Sequence, residues 1–119
     1  MSKTILLIDD EPVLLQTARL ILKQSGFRVI PAAGAIQGMV VFARHSEIDL
    51  IITDHLMPEF TGLELAQRLS EMGNTIPIIL TSSMLTEQLI ASGSTVGIRG
   101  FLDKPYEPAA LCSMARSLV

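Results

Sequence analysis

Short, continuous apolar runs alternate with segments of helical spacing, five times along the chain. Ile5-Leu6-Leu7-Ile8 is apolar at every position rather than every second one, as a parallel strand buried on both faces requires. Phe27–Ile30, Leu50–Thr53, Ile76–Leu80 and Gly100–Leu102 are the other predicted strands, short and mostly aliphatic or β-branched. Between them, Leu14, Ala18, Ile21 and Leu22 share one helical face, as do Leu65, Leu69 and Met72, and then Leu111, Met114, Ala115 and Leu118. Asp10-Glu11-Pro12 predicts a helix start, with acids at the positive end of the dipole and proline in the first turn. Ser25-Gly26, Gly73-Asn74 and Val96-Gly97 predict helix ends. Thr86–Gly97 has the weakest helical pattern, with Gly93 inside it and Thr95-Val96 near its end.

Regular strand–helix alternation gives a parallel sheet with helices on both faces and right-handed crossovers. Five strands suit the doubly wound, flavodoxin-like α/β order 2-1-3-4-5, which places ligands outside the carboxyl ends of the strands, between the first and third. The chain has 119 residues, enough for one domain spanning 1–119 and not for two. Its 9 basic against 12 acidic residues, net charge −3, argue against a nucleic-acid partner held by a basic field. The single cysteine, Cys112, fits a reducing compartment and packing as a small apolar group. Met1-Ser2-Lys3 runs straight into a strand with no secretory leader. The longest uncharged stretches, Val29–Ala43 and Met72–Thr86, are too short to span a bilayer and contain Pro and Gly. A cytoplasmic protein without a membrane partner is expected. The mean hydropathy of +0.47 is consistent with either an apolar surface patch or a well-filled core.

The strand ends carry the candidate chemistry. The first strand runs into Asp9-Asp10-Glu11, the third into Asp54, the fourth into Thr81-Ser82-Ser83 and the fifth into Asp103-Lys104-Pro105. Taken singly, acids at a helix start, an Asp after a strand or a lone Lys need no function. Four strands delivering polar groups to one sheet edge is a different matter. Asp9, Asp10 and Asp54 converge across the crevice between the first and third strands, and three close carboxylates cannot all stay ionised without cations. Lys104 supplies one positive charge; a hard divalent ion, Mg²⁺ where carboxylates meet phosphate, supplies the rest. Mg²⁺, Lys104 and the Thr81 hydroxyl together suit a phosphoryl group, and the central carboxylate, Asp54, is the nucleophile.

These residues resemble the receiver domain of bacterial two-component response regulators. The resemblance covers essentially the whole chain: the Asp9-Asp10 pair, the Asp54-x-x-Met57-Pro58-x-x-x-Gly62 stretch, Thr81 before a small residue, and Phe101-x-x-Lys104-Pro105. It implies that Asp54 accepts phosphoryl from a phosphohistidine on a sensor histidine kinase or a histidine phosphotransfer protein. Asp10, Asp54 and the Leu56 backbone carbonyl would bind Mg²⁺ directly, and Asp9 through water. Thr81 and Lys104 would contact the phosphoryl oxygens, and Phe101 would be the switch aromatic that follows Thr81 inward. Pro58, Gly62 and Pro105 would be structural, with Lys104–Pro105 cis. Phosphorylation would then reshape the face of the fourth helix, fifth strand and fifth helix, where an effector docks. Met84, Leu85, Leu89 and Ile90 are candidates for that face, at least half of them expected to be buried instead. The weak pattern of Thr86–Gly97 suits an element that shifts.

Ser82 stands where the family most often has Ala. Leu56 and Ser83 occupy positions that tune hydrolysis, and Leu56 has no polar group to orient water, so slow autodephosphorylation is expected of a self-phosphorylating switch that is not otherwise an enzyme. His55 is expected to point away from the site, and His45 has no evident partner. An Asp-nucleophile, Mg²⁺-dependent phosphohydrolase typically carries D-x-D at its first strand and a cap domain, neither of which is seen. A flavodoxin-like cofactor binder needs a phosphate loop where Asp9-Asp10-Glu11 stands, and a receiver used only for docking has no need of the full residue set. A single-domain regulator, a domain of a larger regulator and a hybrid-kinase receiver all stay open, and dimerisation through the fourth-helix face is not expected.

Overall fold

The computed structural model describes residues 2–119. The elements are β1 (Thr4–Ile8), α1 (Pro12–Gln24), β2 (Arg28–Ala32), α2 (Ala35–Arg44), β3 (Leu50–Asp54), α3 (Gly62–Glu71), β4 (Ile78–Ser82), α4 (Glu87–Ser94), β5 (Ile98–Asp103) and α5 (Pro108–Leu118). All strand pairings are parallel and the order is β2-β1-β3-β4-β5, as the alternation predicts.

Every residue of β1, β3 and β4 is buried, because helices cover both sheet faces. Successive side chains enter two separate cores. Leu6, Ile8, Ile51, Ile78 and Leu80 pack with Ala35, Leu65, Leu69 and Leu89 of α2, α3 and α4. Ile5, Leu7, Leu50, Ile52 and Ile79 pack with Leu15, Leu22, Leu111 and Ala115 of α1 and α5. Much of the chain's high hydropathy is therefore spent inside, at about 1.5–3 kcal/mol for each fully buried large aliphatic side chain. β2 is an edge strand, which is why Pro31 is tolerated in it.

The strands depart from the expected bounds in ways that local bonding explains. β2 runs to Ala32 rather than ending at Ile30, since Asp9 N–H donates to the Ala32 carbonyl at 3.1 Å. β4 begins at Ile78 instead of Ile76, because the Asn74 side chain holds both the N–H and the carbonyl of Ile76 in a turn. β5 is longer than Gly100–Leu102 and contains a bulge: Ile78 pairs with Ile98, Ile79 pairs with Gly100, and Arg99 is left over. Ile98 and Phe101 consequently lie on the α4 side, while Leu102 lies on the α5 side and Gly100 lies against Met114.

Helix faces are offset slightly from the sequence pattern. α1 buries Leu15, Ala18 and Leu22 and leaves Leu14 exposed at its rim. α3 buries Leu65 and Leu69, but Met72 is the residue after the last turn and is exposed. α5 buries Leu111, Cys112 and Ala115, with Met114 and Leu118 half-buried. Gly26, Gly73 and Gly97, the predicted terminators, all have positive φ, where a Cβ is strained.

Candidate functional site

Four strands end together at one edge of the sheet. Asp9 and Asp10 follow β1, Asp54 closes the neighbouring β3, and one oxygen from each of the three carboxylates lies within 4.8 Å of the others. Thr81 lies in β4 directly opposite Asp54 in register, and Lys104 follows β5. Lys104 Nζ is 3.1 Å from Asp54 Oδ1 and 3.4 Å from Asp9 Oδ2. The other Asp9 oxygen accepts from Glu11 N–H at 3.0 Å. Asp9, Asp54 and Thr81 are buried.

Burial pushes the Asp9 carboxyl pKa up, with repulsion from Asp54 adding to it, against the Glu11 N–H bond and the Lys104 charge. Burial pulls Lys104 down, but Asp9 and Asp54 outweigh it and the ammonium pKa is raised. One cation thus serves two buried carboxylates and leaves the third without one. Asp10 Oδ1 is buried with no hydrogen-bond partner among the described residues, an expensive state for a carboxylate oxygen. The donor set fits a small divalent ion: oxygens at ~2.1 Å from an octahedral centre lie about 3–4 Å apart. A cleft of about 210 Å³ opens beside it, lined by Glu11, Leu14, Asp54, Leu56, Ser83 and Lys104.

The loop after β3 is fixed at several points. His55 N–H donates to the Thr81 carbonyl, Gly62 N–H donates to the His55 carbonyl at 2.7 Å, and Met57 is buried in the core. A Cβ on Gly62 would meet the Leu80 side chain and lie 2.5 Å from the Asp54 carbonyl oxygen, so α3 can abut the site only with glycine there. Thr61 and Glu64 close a capping box at that helix. Leu56 stays exposed at the cleft rim. His55 turns onto the start of α3, its Nδ1 accepting from Leu63 N–H at 3.4 Å, and burial holds its pKa down. His45, which the sequence leaves without a partner, meets Glu47 at 3.2 Å.

The Lys104–Pro105 peptide is cis. Phe101 is half-buried against α4, where Gly93 makes room: a Cβ there would lie 3.0 Å from the ring. Of the four apolar candidates near α4, Leu89 is buried and Leu85 half-buried, while Met84 and Ile90 are exposed. Three contributors escape a reading of the sequence. Ser82 replaces a family alanine, yet its hydroxyl accepts from Met84 N–H at 3.1 Å and shapes the β4–α4 loop. Gly93 reads only as a helix weakness, and Glu59 reads as a surface acid, although its carboxylate accepts from Ile36 N–H across the fold.

A family model for the response regulator receiver domain matches residues 5–116. The response regulator GtcR of Aneurinibacillus migulanus is 33% identical over 91% of this chain and 44% of its own length. The phosphate regulon transcriptional regulatory protein PhoB of Pseudomonas aeruginosa is 30% identical over 99% of this chain and 52% of its own. The chain spans about half the length of these relatives. The structure of the Vibrio cholerae chemotaxis protein CheY4 superposes with a TM-score of 0.91 at 25% identity over 100% of both chains. With fold, strand-end acids and family model in agreement, the chain belongs to the response regulator receiver domain family, whose role is phosphoacceptor signalling. Its members are phosphorylated by histidine kinases and act on effectors. Among the described residues, no helix is long and apolar enough to cross a membrane.

Proposed function

We propose that residues 1–119 act as one receiver in which Asp54 is the phosphoacceptor. The observation that carries this reading is the buried Asp54 carboxylate, 3.1 Å from Lys104 and grouped with an Asp10 oxygen that has no partner. Asp10, Asp54 and the Leu56 carbonyl would hold Mg²⁺, with Asp9 acting through water. When bound, the ion supplies charge neutralisation for the phosphoryl oxygens. Asp54 attacks phosphorus through a carboxylate oxygen, the P–O bond forms as the P–N bond to the donor histidine breaks, and the imidazole leaves with that electron pair. Lys104 meets charge on the transferred group, and the Thr81 hydroxyl donates to it.

The modified aspartate carries a dianion where Lys104 now bridges two carboxylates, and the switch follows from that change. Thr81 draws toward the phosphoryl group, Phe101 takes the space vacated, and the α4–β5–α5 face changes for an effector. Phe101 already contacts α4 through Gly93, which supports this route. Leu56 sets an apolar side chain at the cleft rim, with no group of its own to orient an attacking water, which supports slow autodephosphorylation. Leu56→Asn should shorten the phosphoryl lifetime, read by intact mass against time.

The deciding experiment is intact-mass spectrometry after incubation with acetyl phosphate, with and without Mg²⁺, on wild type and Asp54→Asn. A Mg²⁺-dependent, base-labile phosphoryl adduct absent from the variant is expected. An adduct that persists in Asp54→Asn moves the acceptor elsewhere, and rapid turnover to free phosphate replaces the switch with a phosphohydrolase.

A further inference from the structure

We infer that Glu59 is a positioning residue for the metal site, supplying from the β3–α3 loop the N-cap that α2 lacks. This rests on the Mg²⁺-dependent phosphoacceptor reading above. The N-cap residue of α2 is Gly34, which has no side chain to cap the helix. Gln37 reaches back past the N-cap and accepts from Ala33 N–H at 2.7 Å, leaving the first-turn N–H groups of the helix without a local side-chain cap. The cap comes from a different loop: Glu59 Oε1 accepts from Ile36 N–H at 3.2 Å. The glycine is what admits it, since a Cβ at position 34 would lie 2.8 Å from that oxygen.

Glu59 lies three residues after Leu56, whose carbonyl is the ligand proposed for Mg²⁺. Pro58 fixes one φ between them and Met57 is anchored in the core, so the connection is short and stiff. Asp10, Gly34, Pro58 and Glu59 line one cleft of about 460 Å³. The bond therefore ties the loop carrying the carbonyl to the loop after β2, beside the acid that lacks a partner. Groups that orient a metal ligand from behind contribute to affinity without touching the ion.

The test uses three variants, Glu59→Ala, Glu59→Gln and Gly34→Ala. Gly34 has extended backbone, φ 173°, so alanine there is unstrained and displaces only the flexible end of Glu59. Mg²⁺ affinity is measured directly by NMR titration, and amide exchange at Ile36 is followed without metal. Glu59→Ala and Gly34→Ala should each speed exchange at Ile36 and weaken Mg²⁺ binding by about 10-fold, the low end for such groups. Their combination should be no worse than either alone. Glu59→Gln keeps an acceptor without charge and should bind Mg²⁺ like the wild type. An unchanged affinity in Glu59→Ala, or a Glu59→Gln as weak as Glu59→Ala, overturns positioning and leaves a structural cap or simple charge attraction. If the affinities move as expected but wild type takes up no phosphoryl, the phosphoacceptor reading fails while the positioning stands.

Discussion

At the scale of single residues, the site is a problem of too little positive charge. The raised Asp9 pKa means that ionising this group opposes folding. That opposition is absent below the unfolded carboxyl value, near 3.8, and is complete once the pH exceeds the higher folded value. Asp9→Asn should therefore raise the melting temperature by a few degrees at pH 7 in metal-free buffer, with the gain gone near pH 3.5; an equal gain at both pH values contradicts it. Lys104 has the opposite sign. Its raised pKa stabilises the fold throughout neutral pH, and that contribution is lost only in the alkaline range. Lys104→Met should lower stability without metal yet tighten Mg²⁺ binding, because the ammonium no longer competes for Asp54, as calorimetric titration would show. Asp9, Asp10, Asp54, Thr81 and Lys104 were legible in the sequence because each interrupts or ends an apolar run. Ser82 and Glu59 were not, since each bonds a backbone N–H, and a backbone partner leaves no mark on residue type.

At the scale of elements, two glycines decide how closely helices approach. Gly62→Ala sets a methyl against the Asp54 carbonyl, which cannot move without moving the site, and should destabilise by about 3 kcal/mol or more. Gly93→Ala gains about 1 kcal/mol of helix propensity but drives a methyl into Phe101 and Ile98. The net should be a loss of about 1 kcal/mol in urea denaturation, with the Phe101 ring displaced in NMR spectra. Strand order followed from the strand–helix alternation, and periodicity found Leu65 and Leu69 of α3 and Leu111 and Ala115 of α5, while Met72 lies past the end of its helix and is exposed. Strand bounds slipped where side chains override it: Asn74 holds Ile76 in a turn, and Arg99 stands outside the ladder. The α1 face slipped by one position, because Leu14 and Leu15 are equally apolar and only packing chooses between them. The weak pattern of Thr86–Gly97 proved to be a short helix built around the Gly93–Phe101 contact. Amide exchange across α4 should quicken on phosphorylation; uniform protection in both states would exclude its shift.

At the scale of the molecule, folding is what assembles the three acids, so a divalent ion that binds them binds only the folded chain. Mg²⁺ at ten times its dissociation constant should add about 1.4 kcal/mol to stability in urea titrations. Asp10→Asn should abolish that gain. The two cores divide the labour across the sheet, one under α2, α3 and α4 and the other under α1 and α5. The unpaired Arg99 decides to which of them the end of β5 belongs. Alternation is a matter of parity, and with Arg99 outside the ladder Ile98 and Phe101 are an even two paired steps apart and share a face. Deleting it would leave the same partners in an unbroken ladder with Phe101 still toward α4, whereas drawing Arg99 into the ladder opposite Ile79 would turn Phe101 toward α5 and Leu102 toward α4. The direction in which this domain's signal leaves thus depends on one residue being left out of a count: a one-codon deletion would preserve it, whereas pairing Arg99 would reverse it and carry Lys104 out of register with Asp54.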